Sequence, residues 1–93
     1  MGNKLTNAQI YTLRGMYSGI HHLMLYNGKR GNERRPLGRY TYEDVCNRSL
    51  PRLMREGYVE FKDKSIDKEK GKWYTVTLTS KGREAVKTQE ISL

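Results

Sequence analysis

Apolar residues recur every three or four positions between residues 10 and 24, as they do on one face of a helix. Thr6 and Asn7 precede this run, and both are favourable N-caps. Gly15 and Gly19 interrupt it, each at about 1 kcal/mol relative to alanine in a helix interior. The pattern predicts a first helix that either continues through the run or ends near Gly19. In the second case residues 20–26 form a separate short element, strand or helix.

A second stretch of helical apolar spacing lies in the middle of the chain, and it has two alternative starts. A start at Thr41 places Pro51 inside the helix, at a cost of about 3 kcal/mol or a kink. A start at Asn47 places the same proline near the first turn, where the loss is far smaller. We therefore favour a helix over residues 47–56, preceded by a helical or extended turn at residues 41–45.

The last third of the chain predicts a hairpin and a helix. Residues 58–61 and 73–78 have the composition of strands, and the second segment alternates apolar and polar positions. Residues 62–72 between them are polar and form the hairpin tip. Thr79 or Ser80 caps a short final helix.

A strongly basic segment, residues 27–39, contains three glycines and one proline, which predicts a flexible loop. Five cations stand in it against the single carboxylate of Glu33. They are Lys29, Arg30, Arg34, Arg35 and Arg39.

Ninety-three residues suffice for one domain, and the composition is too apolar for a disordered tail. The net charge of +8 favours a polyanionic partner, although solubility alone also explains a basic surface. One cysteine, Cys46, excludes an internal disulfide and predicts a reducing, cytoplasmic location, which for a viral protein means the host cytoplasm or nucleoid. No signal peptide or membrane-spanning apolar run is visible, so we expect no membrane partner.

Two segments resemble the winged helix-turn-helix proteins of the MarR and PadR types. Residues 49–60 (SLPRLMREGYVE) resemble their recognition helix, glycine and first wing strand. Residues 74–86 (YTVTLTSKGREAV) resemble the second wing strand and following helix, and residues 5–9 resemble the opening of the first helix. The resemblance implies an α+β winged helix: a helical N-terminal part, a recognition helix, a two-stranded wing and a short C-terminal helix. It spans roughly the first 18 residues and residues 47–86, as in a small member from a phage or mobile element.

The sequence departs from those families in two respects. A complete second helix is expected before the recognition helix, where this chain has the glycine- and arginine-rich segment. The long dimerisation helices are also missing, which leaves the first helix and residues 87–93 as candidate surfaces for a homodimer. The resemblance implies a DNA-binding transcriptional regulator, with its ligand response in doubt.

The predicted recognition helix carries Arg48, Arg52 and Arg55 on the face opposite its apolar stripe, with Asn47 at its leading end. Arginine bonds guanine and asparagine bonds adenine in a bidentate manner, so this helix suits the major groove of duplex DNA. A solvated helix face gives the same pattern. The basic loop and the wing tip supply backbone contacts. The wing-tip lysines are Lys62, Lys64, Lys68, Lys70 and Lys72.

Two other partners remain open. Tyr26, Tyr40 and Tyr42 flank the basic loop and suit stacking on unpaired bases, which predicts RNA or single-stranded DNA. An acidic protein is the second alternative, bound as by a viral or phage inhibitor of a nucleic-acid machine.

We expect no enzymatic activity, cofactor or metal site. The two histidines, His21 and His22, are neighbours in the sequence. The sequence contains no recognisable catalytic triad and no phosphate-binding glycine loop. The remaining aromatic and thiol side chains are assigned to the core. They are Tyr11, Tyr17, Cys46, Tyr58 and Tyr74.

Overall fold

The first helix, α1 (Asn7–Tyr17), begins at the predicted cap. The Thr6 hydroxyl accepts a hydrogen bond from the Gln9 backbone at 3.2 Å, and the Gln9 side chain accepts one from the Thr6 backbone at 2.9 Å. This reciprocal capping box fixes the start of the helix. Gly19, at a φ of 105°, lies just past its end, so the shorter of the two predicted helices is confirmed. The computed structural model describes residues 4–92.

An antiparallel meander of three strands follows: β1 (His22–Leu25), β2 (Gly31–Pro36) and β3 (Tyr42–Cys46). The prediction of a flexible loop over residues 27–39 is therefore wrong. Gly28 lies in the turn between β1 and β2, where its φ of 72° is one that glycine adopts without strain. β2 has almost no apolar side chains, and backbone pairing with a neighbour on each side holds it in place.

The rest of the chain forms α2 (Leu50–Arg55), β4 (Val59–Phe61), β5 (Trp73–Leu78) and α3 (Ser80–Thr88). α2 is shorter than predicted, and Pro51 lies in its first turn as expected. The predicted strands and final helix are confirmed. Thr79 caps α3, its hydroxyl accepting from the Gly82 backbone at 3.1 Å.

The five strands form one antiparallel sheet in the order β3-β2-β1-β5-β4. Met24, Val76 and Leu78 share one sheet face and pack with the apolar side chains of all three helices. The helices therefore cover one face. The other face has no helix over it, and there only Leu23 is buried, beside Ile66 of the segment between residues 61 and 73. The buried core consists of Leu5, Ile10, Leu13, Met24, Leu50, Leu53, Tyr58, Val59, Val76, Leu78 and Ala85.

The winged helix predicted from the resemblance is wrong, although the α+β class is right. A helix-turn-helix needs a helix directly before the recognition helix, whereas here β1, β2 and β3 occupy the chain between α1 and α2. Gly31 allows α2 to lie against β2, because a Cβ at this position would lie 2.5 Å from the Leu50 Cβ. α2 thus packs directly on the β2 backbone, which takes the place of a preceding helix.

Three of the predicted core side chains lie at the surface. Tyr11 and Tyr17 are 60% and 55% exposed, and Tyr17 lines an open cleft beside β5. Cys46 is exposed on β3, an edge strand with no helix over its side chain. Tyr58 is buried as predicted, and Tyr74 is half-buried.

Candidate nucleic-acid interface

The uncovered side of the sheet, here called the open face, carries the side chains that alternate with the core positions. Strand register defines it, since paired residues project to the same side. Leu23 pairs with Asn32 and Thr75, and Arg34 pairs with Asp44. The open face comprises His21, Leu23, Leu25, Asn32, Arg34, Pro36, Tyr42, Asp44, Cys46, Glu60, Trp73, Thr75 and Thr77.

A hollow with an aromatic wall lies on the open face at the start of β5. Leu23, Ile66 and Trp73 supply its apolar lining, and Lys62, Asp63 and Thr75 contribute polar groups. The Asp63 carboxylate accepts hydrogen bonds from the Ser65 backbone and hydroxyl at 3.0 and 2.7 Å, so it is engaged within its own loop. Trp73 is 37% exposed and Ile66 is 49% exposed. We call this the aromatic hollow. An exposed indole beside apolar side chains offers a flat surface on which a planar ring can stack.

At the opposite end of the open face, Arg34 is fixed between a carboxylate and an aromatic ring. Its Nε donates to Asp44 Oδ1 at 2.9 Å and its Nη2 to Asp44 Oδ2 at 3.3 Å. The hydrogen bond from Arg34 lowers the pKa of Asp44, so this pair stays charged at neutral pH. The guanidinium carbon lies 4.0 Å from the centre of the Tyr42 ring, which remains 55% exposed. Tyr42, which the sequence assigned to base stacking, therefore has a fixed cationic neighbour.

Several predicted contact residues are neutralised within the chain. Arg35 bonds Glu33 at 3.0 Å, Arg52 bonds Glu56 at 3.2 Å, and Lys72 bonds Glu69 at 2.7 Å. Lys64 pairs with Glu60. Lys68 donates to two backbone carbonyls at 3.2 Å and lies 4.7 Å from the centre of the Phe61 ring. The predicted arginine stripe on α2 is thus interrupted at its middle position.

Asn47 is engaged inside the protein. Its Nδ2 donates to the Thr12 hydroxyl at 3.1 Å, and its Oδ1 accepts from the Ser49 backbone at 3.0 Å. Both ends of the amide are therefore occupied in joining α1 to the start of α2. The structure assigns Asn47 a structural contact, and its predicted contact with adenine remains a prediction.

Three predicted cations line one depression at the end of β2: Lys29, Arg30 and Arg48. We call them the basic cluster. None of the three has a carboxylate within 4.0 Å among residues 4–92. Arg30 accepts a backbone hydrogen bond from Leu25 at 2.9 Å, and Leu25 pairs with Trp73. The basic cluster thus lies two strands away from the aromatic hollow, at the same end of the sheet.

The remaining predicted contact residues are dispersed. Arg39 lies at the exposed tip of the β2–β3 hairpin, between Leu37 and Tyr40, which are 63% and 88% exposed. Lys62 lines the aromatic hollow. Arg55 and Lys70 are exposed, and within the described part of the chain neither has an ion-pair partner.

Sequence reasoning missed Trp73 and Thr75 as surface residues of a site. The alternation of residues 73–78 assigned Trp73, Thr75 and Thr77 to one face, but the sequence did not show that this face is uncovered. That depends on all three helices packing on the other side. The two histidines also separate: His21 lies on the open face, while His22 is buried with Nε2 3.6 Å from Glu33 Oε1.

Residues 4–92 contain no group of three or more histidine, cysteine or acidic side chains placed to hold a metal ion. Nor does any helix in that range have the length and apolar character needed to cross a membrane. Leu93, the last residue considered for dimerisation, lies outside the described residues. Comparisons with protein-family models, curated proteins and solved structures gave no match.

Proposed function

We propose that this protein binds single-stranded nucleic acid along the open face, as a binding protein without a catalytic step. The observation that carries the proposal is the uncovered antiparallel sheet with exposed aromatic side chains at both ends. Proteins that bind unpaired strands stack bases on aromatic side chains and track the phosphates with cations. Here Trp73 and Tyr42 offer the rings, and the basic cluster offers the cations.

The dimensions of the open face suit several nucleotides. Across the sheet, Trp73 on β5 lies level with Arg30, just before β2 begins. Tyr42 on β3 pairs with Pro36, which is six residues further along β2 than Arg30. β3 and β5 are three strands apart in the sheet. With about 3.3 Å per residue and about 4.8 Å between strands, the two rings are separated by roughly 25 Å. A strand lying diagonally across the sheet passes Asn32 and Thr75 between the rings. Their polar side chains can hydrogen-bond to base edges.

Duplex DNA is less well supported. α2 has six residues, its inner side is occupied by Leu50 and Leu53, and Arg52 is paired with Glu56. The basic cluster suits phosphates of either a duplex or a single strand, so it does not discriminate between them. The duplex is therefore kept as the alternative outcome of the test.

Trp73 is the single tryptophan of the chain, so its fluorescence reports directly on the aromatic hollow. We expect an unphosphorylated single-stranded oligonucleotide to quench this fluorescence saturably, and a duplex of the same sequence to bind more weakly. Tyr42→Ala should weaken binding by about fivefold or more, since stacking contributes about 1–3 kcal/mol per base. Tyr11→Ala is the matched control, because Tyr11 is similarly exposed but projects from α1.

The contrary result is equally specific. Tighter binding to the duplex, lost in Arg55→Gln and retained in Tyr42→Ala, would assign binding to α2 and overturn the open-face proposal. Absence of binding to both nucleic acids at about 50 mM salt would direct the search to an acidic protein partner.

A further inference from the structure

A cleft opens where β1 separates from β5. The two strands pair only from Leu23 to Leu25, whereas β5 continues beside β4 to Leu78. The end of α1 and the first turn of α3 close the sides of the gap. Its polar lining consists of Tyr17, His21, His22, Lys62, Thr75, Thr77 and Arg83.

The polar groups of the cleft are cations and hydroxyls. No carboxylate is among its lining residues over the described range. Neither Lys62 nor Arg83 forms an ion pair with any residue from 4 to 92. Glu60, next to Thr77 on β4, is already paired with Lys64. These side chains make the cleft positive and rich in hydrogen-bond donors.

One side of the cleft is preorganised. The Thr75 hydroxyl and His21 Nε2 lie 3.1 Å apart and share a hydrogen bond, whose direction depends on the histidine tautomer. Burial and then the charge of Arg34 lower the pKa of His21, with a further contribution from Lys62. Burial is the largest cause and Asp44 acts in the opposite direction, but the charges of Arg34 and Lys62, which disfavour a further positive charge on His21, also favour a bound anion.

The cleft adjoins the aromatic hollow. Lys62 and Thr75 line both, so a group in the cleft and a ring in the hollow would share these two side chains. A nucleotide carries a planar base and a phosphate close to each other, so one nucleotide could place its base in the hollow and its phosphate in the cleft.

We infer that the β1–β5 cleft binds a phosphate monoester, held by Arg83 and Lys62 with the threonine hydroxyls, while the attached base occupies the aromatic hollow. A terminal phosphate carries up to two negative charges and three acceptor oxygens, which suit a guanidinium, an ammonium and hydroxyl donors. The phosphate comes either from the end of a bound strand or from a free mononucleotide. Assignment to a strand end rests on the proposed function, whereas the chemistry of the cleft does not.

The test compares one oligonucleotide in three forms, with a 5′-phosphate, with a 3′-phosphate and with neither, by quenching of Trp73. Adenosine monophosphate and inorganic phosphate are titrated separately against ¹⁵N-labelled protein at constant ionic strength. The variant is Arg83→Gln, and the control is Lys87→Gln, one turn further along α3 and outside the cleft lining. Circular dichroism checks that both variants fold.

A terminal phosphate that tightens binding about tenfold in the wild type and in Lys87→Gln, but not in Arg83→Gln, supports the strand end as the source. Saturable shifts of the Thr75 and Thr77 amides with adenosine monophosphate, lost in Arg83→Gln, support a free nucleotide when the three oligonucleotides bind equally. Equal binding of the oligonucleotides together with no saturable shift overturns the cleft assignment. In that case quenching by the unphosphorylated oligonucleotide leaves the proposed function standing. Phosphate binding without any oligonucleotide binding would instead reject the proposed function and retain the cleft.

Discussion

At the scale of single residues, Gly82 has a role that its position in α3 conceals. Glycine inside a helix normally costs about 1 kcal/mol relative to alanine. Here a Cβ would overlap the backbone oxygen of Tyr58 and lie 3.1 Å from Leu78 Cδ2. The missing side chain therefore lets α3 approach the start of β4 closely.

We predict that Gly82→Ala destabilises the protein by about 1–3 kcal/mol, since backbone cannot move aside as a flexible side chain can. Gly15→Ala in α1 is the comparison, because its Cβ would meet the end of the Ile20 side chain at 3.3 Å and His22 Cε1 at 3.9 Å, with no backbone atom in the way. That substitution should be neutral or stabilising by up to about 1 kcal/mol. Urea denaturation of both variants measures the difference, and equal effects would contradict the close approach.

His21 supplies a second residue-scale prediction. Its pKa should lie below the ordinary value of 6.5, first through burial and then through Arg34, with Asp44 acting in the opposite direction. An NMR pH titration of the imidazole measures it, and Asp44→Asn should lower it further. Because the unfolded chain takes up the proton first, the stabilisation by neutral His21 is present above about pH 6.5 and declines as the pH falls. A value at or above 6.5 would contradict this account of the open face.

At the scale of elements, Thr79 connects the start of α3 to the turn that precedes β4. Its hydroxyl accepts from the Gly82 backbone at 3.1 Å and donates to the Gly57 carbonyl at 2.6 Å. One side chain thus caps α3 and fixes the turn between α2 and β4. The direction in which α3 leaves the sheet, and with it the position of Arg83, depends on this contact.

Replacing Thr79 tests the contact between α3 and the turn before β4. We expect Thr79→Ala to lower the free energy of unfolding by about 1–2 kcal/mol, because it removes both the cap and the turn contact. Thr79→Ser keeps the hydroxyl and should stay within about 0.5 kcal/mol of the wild type. Thermal denaturation followed by circular dichroism compares the two, and an equal loss in both would indicate that the methyl group, not the hydroxyl, is important.

At the scale of the whole molecule, the net charge of +8 is unevenly available. Much of the positive charge on β2, α2 and the β4–β5 loop is paired with carboxylates, whereas the basic cluster is not. Surface ion pairs contribute little to stability but do cancel charge locally. Attraction for a polyanion is therefore concentrated at one end of the sheet.

The salt dependence of oligonucleotide binding measures this concentration. Three phosphate contacts at the basic cluster predict a slope of about −2 for log affinity against log salt, at about −0.7 per contact with a single strand. Arg48→Gln should reduce the magnitude of the slope by about 0.7, and Lys87→Gln should leave it unchanged. A slope near zero in the wild type, or an equal loss in both variants, would exclude the cluster as the phosphate contact.

Local signals in the sequence predicted α1, β5, α3 and the cap at Thr6 correctly, because each depends on neighbouring residues. The same reasoning failed over residues 27–39, whereas β3 agrees with the extended alternative for residues 41–45. β2 has few apolar side chains, so periodicity could not reveal it, and its glycines are typical of a loop as well as of a hairpin. The resemblance then filled this gap with a fold that the strands exclude.

The sequence by itself determined a single basic α+β chain, the identity of its core helices and the list of its cations. Charge and amphipathic spacing are properties of the residues and their near neighbours. Only the tertiary structure decided which cations are paired, that one sheet face is uncovered, and that His21, Lys62 and Arg83 surround one cleft. Those relations join residues more than sixty positions apart, such as His21 and Arg83, and they arise from strand order and from all three helices packing on the same side.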